Sequence, residues 1–244
     1  MATDLKILTA RRGYEYPADA LRLTVLTLPH VIESIRSTFN FQGAQIGSPA
    51  PVFGPVPQVL PPGLVLNFGM VRHPDGRYTP IRFLHFEQRR IVIDVASESN
   101  TIDLIFEQLA KVLTGAQTTM GPAVIHEPER VRDYSEITAR CSFDPSAVLA
   151  GPLVPLLSPL RNGMPTRHPL LMPTLILRFA SPDSEYAGLA LPDPNIMQFE
   201  IRSGTRPSDH IYFSAAPVDT TAHQTMLEQI DANLTAAIQH DSQR

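Results

Sequence analysis

Tryptophan is missing from this chain, cysteine occurs once, at Cys141, and lysine is confined to Lys6 and Lys111. Each scarcity excludes something. One cysteine forms no internal disulfide and supports no cysteine-rich zinc site, which suits a reducing, cytoplasmic setting. The absence of tryptophan, with no interleaving of aromatic and basic residues, removes the usual stacking platform for single-stranded nucleic acid. With a formal net charge of −4 the chain carries no general field for a phosphate backbone, so nucleic acid is not the expected partner. No apolar run reaches the length of a membrane span, and the segment from Met1 to Thr9 has neither an apolar signal core nor a cleavage motif. Phosphate-binding glycine loops, the Gly-x-Ser-x-Gly elbow and His-Glu-x-x-His are all absent, and the eight histidines show no metal spacing. No metal and no cofactor are expected.

What is present is a pattern written twice. Leu64-Val65-Leu66-Asn67-Phe68, His85-Phe86-Glu87-Gln88-Arg89, Ile91-Val92-Ile93-Asp94-Val95 and a helical run around Phe106-Glu107-Gln108-Leu109 form the first copy. Leu175-Ile176-Leu177-Arg178-Phe179, Gln198-Phe199-Glu200-Ile201-Arg202, Ile211-Tyr212-Phe213-Ser214-Ala215 and a helix around Leu227-Glu228-Gln229-Ile230 answer it. The offsets of 111, 113 and 121 residues drift as loop insertions between common elements would make them drift. The 244 residues divide into an N-terminal arm, 1–20, a first unit, 21–116, a junction, 117–133, and a second unit, 134–244, the two units sharing one core.

Local signals supply the elements. Leu21–Leu28 reads as a strand ended by Pro29, which suits the first turn of a helix bearing Val31, Ile32, Ile35 and Phe39. Asp75-Gly76 between alternating segments marks a hairpin, and Arg89-Arg90 the next tight turn. Asn100 is placed to cap a helix that Gly115 ends, and Asp219 or Thr220 to cap the last one. Ser135–Phe143 alternates so that Cys141 falls among core positions. Asp144-Pro145 opens a helix that Pro152, Pro155 and Pro159 interrupt. The resulting expectation is an α+β fold, an antiparallel sheet with helices on one face. The doubled order resembles, in topology only, the saddle of the TATA-binding-protein repeats, in which two copies form one curved sheet with helices on its convex side. No motif specific to that family occurs, so the resemblance implies architecture alone.

Strand alternation assigns faces. Leu64, Leu66, Phe68, Leu84, Phe86, Ile91, Ile93 and Val95, with Leu175, Leu177, Phe179, Met197, Phe199, Ile201, Ile211 and Phe213, are expected under the helices. The opposite face then presents His85, Glu87, Arg89 and Asp94 from one unit and Arg178, Glu200, Arg202 and Tyr212 from the other. His85 and Glu87 form a candidate acid/base pair there, and Glu87 and Glu200 a candidate carboxylate pair; a solvated face with cross-strand ion pairs is the plainer alternative. Proline-rich segments at 48–63 and 151–174 carry Phe53, Val56, Leu60, Leu153 and Leu156, pre-ordered apolar side chains suited to contact. The expected function is a non-enzymatic interaction or assembly subunit, binding a protein partner or a second copy. The alternative is a small-molecule-binding protein or enzyme with its pocket on the polar sheet face.

Overall fold

The computed structural model describes residues 2–47, 63–115, 121–124, 127–143, 174–178 and 196–241. Among them nine strands form one sheet in the order β2-β3-β4-β5-β1-β6-β9-β8-β7, and every neighbouring pair is antiparallel. The strands are β1 (Thr3–Glu15), β2 (Gly43–Gly47), β3 (Gly63–Arg72), β4 (Tyr78–Phe86), β5 (Arg90–Val95), β6 (Arg130–Arg140), β7 (Thr174–Arg178), β8 (Ile196–Ile201) and β9 (Ile211–Ala216). Four helices accompany them: α1 (Leu23–Leu26), α2 (Pro29–Phe39), α3 (Ser99–Gly115) and α4 (Thr220–Asp241). This is a mixed α+β fold, and no described helix is long and apolar enough to cross a membrane.

Turn chemistry sets the register of the first half. Gly76 adopts φ +88° between β3 and β4, a conformation open to glycine, while Asp75 accepts the Arg77 amide at 3.0 Å. Leu64, Leu66, Leu84, Phe86, Ile91 and Ile93 consequently align and bury in one cluster with Val31, Ile35 and Phe39 of α2 and Ile102, Ile105 and Leu109 of α3. Each such side chain contributes about 1.5–3 kcal/mol of burial. Tyr14 of β1 stacks on Phe106 of α3 with ring centres 3.9 Å apart. A second cluster gathers Ile137, Ala139, Cys141, Met197, Phe199 and Tyr212 against Leu227 of α4. The two long helices meet at their first residues: the Ser99 amide donates to Thr220 Oγ1 and the Thr220 amide to Ser99 Oγ, at 3.2 and 3.1 Å. Asp219 caps α4 by accepting the amides of Thr221 and Ala222.

Four expectations are corrected. Residues 3–15, read as part of an arm, form β1 at the middle of the sheet. Arg11 and Arg12 are paired there with Asp94 and with Asp133 and Asp103. Leu21–Leu28 holds the short helix α1, because Leu21, Val25 and Leu28 also satisfy helical spacing; the strand that follows α2 is the unanticipated β2. The junction at 117–133 contains the start of β6 at Arg130. Finally, the assigned faces do not hold at Phe68 and along β9. Phe68 sits at φ 57° within β3, and it is exposed. In β9 it is Tyr212, stacked on Phe199 with ring centres 4.6 Å apart, that enters the second cluster, while Ile211 and Phe213 stay half-buried. Apolar residues on both parities of that strand make its alternation ambiguous.

Candidate functional site

The register of β3, β4, β5, β1 and β6 builds one charged patch opposite Phe86 and Leu84. Asn67, Phe83, Asp94, Arg11 and Tyr134 lie across from one another, and Val65, His85, Val92, Gly13 and Arg132 form the next row. Val65, Phe83 and Val92 are buried together, so this part of the face is not solvated. The Arg11 guanidinium lies 5.1 Å from the Phe83 ring centre, 5.7 Å from that of Tyr134 and 2.7 Å from Asp94 Oδ2. Burial pushes the Asp94 carboxyl above its ordinary pKa, with Arg11 and Arg82 opposing the shift.

Beyond that row the expected His85–Glu87 pair does come together. His85 Nδ1 is 3.3 Å from Glu87 Oε1, and His85 is 0% exposed. Glu87 is buried as well, placed by the turn in which its amide donates to the Arg90 carbonyl at 2.8 Å. Arg90 reaches Glu87 Oε2 at 3.9 Å and donates to Glu15 Oε1 at 2.9 Å, and Arg132 Nε donates to the same Glu15 oxygen at 3.1 Å. Two carboxylates thus face two guanidiniums, with the His85 imidazole against Glu87. Both His85 ring nitrogens, Glu87 Oε1 and Arg90 Nε make no hydrogen bond despite their burial. The cluster contains no serine, threonine or cysteine nucleophile, and among the described residues no group of three metal-ligating side chains occurs.

The other sequence candidates are dispersed. The arginine beside Glu87 is Arg90; Arg89 is exposed and donates to the Tyr16 carbonyl at 3.3 Å. Glu200 is half-buried and Arg202 exposed on the far half, and Arg178 pairs in register with Ile196, its side chain being outside the described residues. Five strand steps separate β4 from β8, about 24 Å at the usual spacing, so Glu87 and Glu200 make no carboxylate pair. Phe53, Val56, Leu60, Leu153 and Leu156, with the interrupted helix after Asp144, also lie outside the described residues.

A second buried polar group escaped the sequence reading. His223 of α4 places Nδ1 2.8 Å from Ser135 Oγ and Nε2 2.9 Å from Ser214 Oγ. Ser135 also reaches the Val218 carbonyl and Ser214 the Gln198 carbonyl. Burial pushes the His223 pKa down to about 4. With neutral imidazole the group has three hydrogens for four contacts; both hydroxyls bind main chain, which suits bracing α4 to β6 and β9 better than nucleophilic attack. The available signal was serine at core parity in two strands. Cys141 is likewise inert, its thiol buried and pushed up to about 12.

Among the described residues, β2 and β7 are the two edges of the sheet. β2 reads Gly-Ala-Gln-Ile-Gly, and among the described residues it is paired on one side only. Ile46, in register with Leu64, is 63% exposed; further along β3, past the paired length of β2, Phe68 is 56% and Met70 41% exposed. No protein-family model matches this chain, and no curated protein matches it in sequence.

Proposed function

We propose that the chain is an assembly or adaptor subunit that works by protein–protein contact, by accepting an extended segment along β2. The observation that carries this reading is the β2 edge, uncharged and without proline and with Ile46 63% exposed on it, since sheet edges ordinarily carry charge, proline or a cover that prevents pairing. A strand added there gains main-chain hydrogen bonds, while Ile46 offers it apolar contact. The net charge of −4 favours protein over nucleic acid as partner, and the single buried cysteine suits a reducing compartment. Light scattering and pull-down from the native host test the proposal: Ile46→Lys and Gln45→Pro should abolish an association that the unaltered chain forms at micromolar concentration. An unaltered chain that stays monomeric and captures no partner sinks it.

We also infer that the chain is an internal duplication with its long helices on one face, each unit starting with β1 or β6. The strand order supports it, since β1, β5, β4, β3 and β6, β9, β8, β7 run outward from the central antiparallel pair. So does the reciprocal bonding of Ser99 and Thr220. Superposing β3–β5 and α3 on β7–β9 and α4 should bring Phe86 onto Phe199; a one-residue register offset would overturn the inference.

The enzyme or small-molecule reading keeps one specific support, the unbonded polar atoms of His85 and Glu87. A metabolite screen in which Glu87→Gln folds normally but loses a ligand would favour it over the adaptor.

A further inference from the structure

A cavity of about 520 Å³ opens on the other side of the sheet from the charged cluster, between α3, β5 and the segment leading to β6. Its size is that of a small-molecule site. Ile91, Leu109 and Leu113 form its apolar wall, Tyr16 and Phe106 its aromatic one, and the exposed Glu127 is the one charged residue among the described residues of its lining. Both aromatic groups are held before any ligand arrives. Phe106 is stacked on Tyr14, and the Tyr16 main chain is fixed by its amide donating to the Arg89 carbonyl at 2.8 Å and its carbonyl accepting from Arg89 Nε. Preorganised walls lose little freedom on binding.

The charge and the aromatic groups select the same ligand. An ammonium is attracted to ring faces and to the Glu127 carboxylate, whereas an anion is repelled by the carboxylate and gains nothing from the rings. From this combination we propose that the cavity is a binding site for an organic cation, an amine carrying an aromatic or branched aliphatic body. Burial, with Glu127 adding to it, raises the Tyr16 phenol, so that it stays a neutral hydroxyl able to orient the bound amine. The site is independent of the β2 edge.

Nuclear magnetic resonance titration of the full chain with 2-phenylethylamine, 2-phenylethanol and 3-phenylpropionate separates charge from shape, because the three share a body and differ in head group. The amine is expected to bind saturably and at least about tenfold more tightly than either analogue, shifting resonances of Phe106 and Leu109. Glu127→Gln should remove most of that preference with the melting temperature unchanged, and Ala110→Trp at the rim should block all three. Equal binding of amine and carboxylate, an unaltered preference in Glu127→Gln, or no amine binding tighter than about 1 mM overturns the proposal.

Discussion

At the scale of single residues, the two histidines buried among the described residues have different neighbours. His223 has only serine hydroxyls within hydrogen-bonding distance, so burial dominates and its folded pKa of about 4 lies below the ordinary 6.5. The unfolded chain therefore binds the extra proton first. Stability from this group is complete above about pH 6.5 and is lost as pH falls towards 4, by on the order of 3 kcal/mol. Urea unfolding at pH 7 and pH 5 should show a steeper loss for the unaltered chain than for His223→Gln; parallel losses would refute the assignment. His85 instead shares its site with Glu87. Because Glu87 is buried beside His85 and Arg90, Glu87→Ala should cost about 1–3 kcal/mol, more than the fraction of a kcal/mol typical of an exposed ion pair. Phe86→Ala, one position away on the other face, should cost about 3–5 kcal/mol as a cavity in the core. Equilibrium denaturation measures both, and equal small effects would contradict the alternation.

Among elements, the contact between the starts of α3 and α4 is the least expected. Each helix satisfies an amide at the other's first residue through a side-chain oxygen, so the bond pair couples the two helices directly. Ser99→Ala and Thr220→Ala should each cost about 1 kcal/mol. The double variant should cost less than their sum, since either change already disrupts the shared pair. Strict additivity in a double-mutant cycle would show that the two amides are satisfied separately.

For the whole molecule, the longest ladder joins the halves. β1 and β6 pair from Thr3–Arg140 to Glu15–Arg130, and β1 also carries β5 and contacts both α3 and α4. A single cooperative unfolding transition is expected, with the slowest amide exchange in β1 and β6. Two separable transitions, by calorimetry or by exchange, would show that each half folds alone.

Local chemistry was sufficient for what depends on neighbours along the chain. The Asp75-Gly76 turn, Pro29 at the start of α2, the Asp219 cap, the core placement of Cys141 and the opposite facing of Phe86 and Glu87 all follow from dihedral preferences, capping and strand parity. Pairing across the sheet decided the rest. Arg11 and Arg12 meet Asp94, Asp133 and Asp103 from 83, 121 and 91 residues away. The same holds for Tyr212 against Phe199, for the serines that hold His223 and for Tyr16 and Glu127 at one cavity. Periodicity along a chain says which side a residue faces, but which strands become neighbours is set by how the two apolar surfaces close on their helices, and only the folded sheet contains that information.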